Sequence, residues 1–142
     1  MTADFDRDTL ARCADLLAHA THAVALAGAG CRGVFVAHIE EGIRLRQALN
    51  DTGNSDFVAA EIHVLGGLLP GTEEAYDASR LVPVLGSLSE IHDWKQYCER
   101  LEQPLPCDIH ADTGMNRLGL PPDEVDKMSM DFRGDPSSAL LE

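Results

Sequence analysis

The stretch Ile109–Leu120, IHADTGMNRLGL, decides how the rest of this sequence is read. It is a short apolar strand running into a polar, glycine-broken turn that carries one arginine. Side chains alternate along a strand, so Ile109 and Ala111 share one face and Asp108, His110 and Asp112 the other. Gly114 permits a backbone turn closed to residues with a Cβ. Arg117 then offers a permanently charged planar fork suited to a carboxylate, a phosphate or a phenolate oxygen. In parallel α/β proteins, functional sites form where strands end and loops begin. Taken alone, Asp-Thr-Gly after a strand is also an ordinary turn, with Arg117 paired to Asp112 or Asp123.

The bulk properties narrow the setting. The 142 residues make one domain or a piece of a larger one, and 44% hydrophobic content is ample for a core. A formal charge of -13 leaves no basic patch for nucleic acid and disfavours anionic membranes. No apolar run reaches the ~18 residues of a membrane helix. The acidic N-terminus (Asp4, Asp6, Asp8) lacks a signal peptide's basic-then-apolar order, so a cytoplasmic protein is expected. Cys13, Cys31, Cys98 and Cys107 form no CxxC pair, which predicts reduced, mostly buried thiols rather than a zinc site.

Outward from the opening stretch, strands and helices alternate. Leu10 to Ala29 reads as helix, with Gly28 and Gly30 as terminators. Val34–Val36 is a short buried strand and Glu40–Leu49 a helix, followed by a loop at Asn50, Asp51, Gly53 and Asn54. Glu61–Leu65 is the next strand, then a Gly/Pro turn and a short helix over Glu73–Ala78. Leu81–Leu85 is a strand weakened by Pro83. Ser89–Glu102 is a helix capped by Ser89, with Ile91, Trp94, Cys98 and Leu101 on one face and Pro104 and Pro106 ending it. Cys107–Ala111 is the fourth strand. Pro121 and Pro122 open a last helix including Asp123–Met128, and residues 126–142 form a divergent, loosely ordered tail. Strands every ~20 to 30 residues with helices between them indicate βα units and a parallel sheet, either a barrel or a doubly wound sheet. No GxGxxG or P-loop is present.

Four blocks in order resemble one family. HADTGMNRLGL (His110–Leu120) resembles the fifth-strand signature of bacterial alanine racemase, a pyridoxal-phosphate (PLP) enzyme. GCRGVFVAHIEEGIRLRQAL (Gly30–Leu49) resembles that family's second strand and following helix. IHVLGGLLPG (Ile62–Gly71) and LVPVLGSL (Leu81–Leu88) fall where its third and fourth strands lie. The resemblance covers roughly residues 20–125, which implies that residues 1–125 are part of an N-terminal (β/α)₈ barrel domain, with about four parallel strands, the second to the fifth. It further implies a homodimer that interconverts L- and D-alanine with PLP at the barrel mouth, for cell-wall precursor synthesis.

By this resemblance Arg117 lies beside the PLP phenolic oxygen and the substrate carboxylate. Met115, with Asn116, shapes the floor of the site, and Leu65 lies near the ring-packing end of the third strand. His110 stands where many members carry a carbamylated lysine, a support that histidine cannot supply. His38 is expected to be a surface or loop residue.

The resemblance also shows what is missing. Racemisation needs opposed bases on the two faces of the α-carbon and an amine to anchor the cofactor. The family places its Schiff-base lysine in a Lys-Ala-(Asn/Asp)-Ala-Tyr-Gly motif before the second strand, and its tyrosine base in a second domain. The only lysines here are Lys95 and Lys127 and the only tyrosines Tyr76 and Tyr97, all in helical stretches. No catalytic residue is therefore assigned, and the expectation is a truncated segment without racemase activity. The alternative is a non-catalytic half-barrel interaction module that closes by dimerising, since an open half-barrel exposes two sheet edges. Two others are weaker. Asp108, His110 and Asp112 are spaced too linearly along one strand to enclose a metal. The small single-domain PLP-binding barrel proteins keep the first-strand lysine that this chain lacks.

Overall fold

A computed structural model describes residues 22–23 and 25–131 of the chain. Its elements are β1 (Gly33–Val36), α1 (Ile39–Asp51), α2 (Ser55–Val58), β2 (Glu61–Val64), α3 (Glu73–Ser79), β3 (Val82–Leu85), α4 (Leu88–Leu101), β4 (Asp108–Ile109) and α5 (Pro122–Asp131). The strands form one sheet in the order β1-β2-β3-β4, every pair parallel. This is a partial α/β barrel wall. The expected four strands and their helices are all present, with ends shifted by a few residues. The α2 turn was not expected from the sequence, and the helix expected over Leu10–Ala29 falls outside the described residues before position 22. Of the loosely ordered tail expected over residues 126–142, residues 126–131 belong to α5 instead, and the rest lies outside the described residues. No described helix is long and apolar enough to cross a membrane.

Period-two alternation sets the two faces of the sheet. In β2, Ile62 and Val64 are buried while Glu61 and His63 are not. Strand register puts Val34 and Val36 beside Ile62 and Val64, and Val64 beside Pro83. That face meets the helices. Along α1 the buried residues are Gly42, Leu45, Arg46 and Leu49, the i, i+3, i+4, i+7 stripe of an amphipathic helix. A Cβ on Gly42 would sit 3.0 Å from a Leu81 methyl, so a glycine is what lets α1 lie this close. Tyr76, Trp94 and Tyr97 fill the space beyond, with ring centroids 6.1 Å apart for the first pair and 5.8 Å for the second.

Three local expectations need correction. The cap of α4 is Ser87, not Ser89: Ser87 has extended backbone angles and its Oγ accepts the Glu90 N–H, as a capping box requires. Helix α4 ends at Leu101 because Glu102 takes a left-handed φ of 52°, before either proline is reached. Pro83, expected to weaken β3, stays within it. It is fully buried in an interior strand, and the recorded β2–β3 register is confined to His63 with Val82 and Val64 with Pro83. The fourth strand is shorter than expected because beyond His110 the chain pairs with its own returning loop.

One arginine is built into this core. Arg46 is only 5% exposed, and its guanidinium donates to the carbonyls of Ser79 (3.1 Å), Val58 (2.9 Å), Ala60 (2.9 Å) and Arg80 (2.9 Å). Burial, then the nearby Arg80 cation, lowers its pKa from the ordinary arginine value. Cys31, Cys98 and Cys107 are free thiols, of which only Cys98 is buried where mostly buried thiols were expected, and Cys13 lies outside the described residues. Burial pushes the Cys107 thiol up to about 12, which keeps it unreactive.

Candidate functional site

The site grows from the end of β4. Parallel pairing sets Asp108 beside Val84 and Ile109 beside Leu85, and the His110 N–H continues the ladder to the Leu85 carbonyl at 2.8 Å. The chain then leaves the sheet and returns. Ala111 and Leu120 form a parallel bridge, with Asp112 N donating to Leu120 O and Leu120 N to His110 O, both at 2.8 Å. Leu120, fully buried, anchors the return.

Between these points the loop is held by one carboxylate. Asp112 Oδ1 accepts the N–H groups of Gly114 (2.9 Å) and Asn116 (3.1 Å). Those two hydrogen bonds hold its pKa below the usual aspartate value. Gly114 (φ 118°), Asn116 (φ 54°) and Gly119 (φ 97°) supply the left-handed backbone. Gly119 is required twice over, because a Cβ there would stand 2.9 Å from Asp112 N and His110 O.

This loop shapes a recess of about 190 Å³, with His110, Asp112, Met115, Arg117 and Leu118 in its wall. The structure thus brings together Met115 and Arg117. Leu65 follows β2, is half exposed and donates its N–H to Val36 O at 2.9 Å; it is not in that wall. Arg117 is exposed and has no hydrogen bond or ion pair among the described residues. Arg117 is not paired to Asp112 or Asp123: Asp112 accepts from the loop's own backbone, as in an ordinary Asp-initiated turn, and Asp123 pairs with Lys127 at 3.1 Å. A charged fork at the C-terminal end of a parallel strand, without a carboxylate of its own, is suited to an anionic ligand group.

A second cluster, not foreseen from the sequence, lies on the sheet face turned from the described helices. His63 Nδ1 lies 2.6 Å from Asp108 Oδ2 and Nε2 lies 3.6 Å from Glu61 Oε2, while Phe35 stacks on the imidazole at 4.7 Å. The pairing spans β3, tying β4 to β2. Period-two parity offered the signal, since Phe35, His63 and Asp108 all fall on one face. The Asp108, His110 and Asp112 face holds no metal cage, and among the described residues no group of three His, Cys, Asp or Glu side chains is arranged to bind an ion. His38 is exposed at the start of α1, as expected.

Comparison with known proteins agrees with this geometry. The family model for the alanine racemase N-terminal domain matches residues 14–140. The chain is 49% identical to the alanine racemase of Methylobacterium nodulans over 113 residues, which cover 80% of this chain and 27% of that protein. It is 43% identical over 101 residues to the catabolic alanine racemase of Agrobacterium fabrum, covering 71% of this chain and 24% of the relative. Among solved structures it superposes on the Bartonella henselae alanine racemase with covalently bound pyridoxal phosphate at a TM-score of 0.73 and 33% identity, over 87% of this chain and 33% of that one. The chain therefore spans about a quarter to a third of the length of these relatives. From the strand order, the Arg117 loop and the family match together, the chain belongs to the alanine racemase N-terminal domain family.

Proposed function

We propose that this chain is an alanine racemase barrel segment that contributes the arginine side of a PLP and alanine site, and that by itself it does not racemise alanine. The observation that carries the reading is Arg117: an exposed guanidinium at a strand's C-terminal end, in one recess with Met115 and without a protein partner among the described residues. Such a fork stabilises a phenolate and orients a carboxylate. Met115, in the loop after β4, and Leu65, directly after β2, are 74% and 48% exposed and would offer apolar contact to a flat ring.

Bound PLP would supply the electron sink that makes an α-proton removable. The side chains present do not fit the covalent part of such a site. Lys95 sits on α4 with Glu99 at 4.0 Å, and Lys127 sits on α5 with Asp123 at 3.1 Å. Neither tyrosine is placed as a base. Tyr76 is buried, donates to Gly67 O at 2.6 Å, and is pushed up to about 12 by burial and then by Glu90 and Glu40. Tyr97 donates to Asp77 at 3.3 Å and is likewise raised, by burial first and Asp77 next.

The test is a coupled assay for D-alanine with purified chain, PLP and L-alanine. The expected rate equals that of PLP alone; protein-dependent racemisation refutes the proposal. A second reading rests on the sheet face of the His63 cluster, where Phe35 is 62% exposed. A second copy seated there would run as a discrete dimer in size-exclusion chromatography, whereas a monomer excludes it.

A further inference from the structure

At the other end of the strands lies a pocket that the racemase reading does not use. It opens where residues 58–61 lead into β2, Arg80 and Leu81 into β3, and residues 103–106 into β4. Its volume is about 340 Å³, within the range of small-molecule sites. Tyr76, Trp94, Leu81 and Leu105 give it apolar and aromatic walls.

The polar groups around it are unevenly matched. The acids have partners: Asp77 accepts from Tyr97 Oη at 3.3 Å, and Glu61 lies 3.6 Å from His63. Arg46 has its four carbonyls. Two donors remain. Arg80 reaches only the neutral Asn50 Oδ1, at 3.3 Å, with no carboxylate in ion-pair range among the described residues. The Trp94 Nε1–H is buried without an acceptor among the described residues, a rarity in folded proteins. Both residues belong to the wall of this one pocket.

We propose that this pocket binds a small organic carboxylate with an aromatic or branched aliphatic body. The body lies against Trp94, Tyr76 and Leu105, and the carboxylate answers Arg80 and the indole N–H. The site stands apart from the Arg117 recess and is independent of any racemase activity.

Trp94 is the chain's only tryptophan, so its emission reports occupancy directly. The probe is 3-phenylpropionate, titrated into the full chain in about 0.15 M salt, which screens the protein's negative charge to a Debye length of about 8 Å. The expected result is a saturable emission change, weakened about tenfold or more by Arg80→Gln and by replacing the acid with 3-phenylpropionamide. The amide comparison uses the unaltered chain and stands even where the variant fails to fold. Absence of a saturable change up to the solubility limit overturns the proposal. So does equal affinity for acid and amide, or an Arg80→Gln chain, folded by circular dichroism, that binds as well as the original.

Discussion

Replacing Arg46 by methionine tests the buried framework most sharply. Methionine keeps the helix propensity and the aliphatic stem of arginine but removes every donor. Four backbone carbonyls, at the end of α3 and on either side of the α2–β2 turn, then lose their partner. At about 1.5–3 kcal/mol per bond to a charged group, the gross loss is about 6–12 kcal/mol. Relief of the guanidinium's own desolvation returns several kcal/mol. Water entering from the adjoining pocket, which Arg46, Val58 and Ala60 line, restores part of the remainder. The net expectation is a destabilisation of about 3–5 kcal/mol, a large share of the ~5–15 kcal/mol that holds a domain folded. Urea unfolding followed by Trp94 emission reads this as a midpoint lowered by about 2 M. Arg46→Lys, with three donors and no planar fork, is expected to lose about half as much. The exposed neighbour change Arg44→Gln is the control, at about 0.5 kcal/mol or less. An Arg46→Met loss below about 1 kcal/mol would show that the four carbonyl bonds do not hold this framework together.

Gly119→Ala places a Cβ against Asp112 N and His110 O at a φ of 97°, so a loss of about 2 kcal/mol or more is expected, with faster amide exchange at Asp112 and Leu120; unchanged exchange contradicts the loop's geometry. Asp112 has a lowered pKa, so its loop-closing contribution is complete above the ordinary aspartate value and is lost as pH falls through the lowered one. Amide shifts of Gly114 and Asn116 should titrate below that ordinary value and become flat in Asp112→Asn; a midpoint at or above it counts against the assignment. Glu90 accepts from Gly86 N (2.8 Å), Leu68 N (3.1 Å) and Ser87 Oγ (3.0 Å), joining the turns after β2 and β3. Glu90→Gln keeps one acceptor oxygen, and a cost of about 1–2 kcal/mol is expected, with exchange at Leu68 and Gly86 accelerated together.

The alternation of β-branched runs with amphipathic stretches made the parallel sheet legible, because periodicity reports burial directly. Groups of four blocks such as Gly30–Leu49 and His110–Leu120 placed the segment within its family. Other features were invisible for physical reasons. Arg46 reads as one more surface charge of α1, and only the carbonyls converging from Val58, Ala60, Ser79 and Arg80, up to 34 residues away, make it an interior residue. Both Ser87 and Ser89 are competent caps; the choice falls to Ser87 because Glu90 stands three residues on and reaches back to it. Helix ends marked by left-handed glycines are easy to find, whereas Arg80 and Glu102 adopt that backbone without a glycine to announce it. The Arg117 recess was legible as a motif, but its depth depended on the Ala111–Leu120 bridge, a pairing within one loop that no periodicity displays.

Arg117 lies in a recess suited to a bound anion, while the two lysines, Lys95 and Lys127, lie on helices beside Glu99 and Asp123. Incubation with one equivalent of PLP, borohydride reduction and intact-mass measurement test this arrangement directly. The expected result is the unmodified mass, with no stoichiometric adduct on Lys95 or Lys127. A single reduced PLP bound per chain, mapped to either lysine, would contradict it.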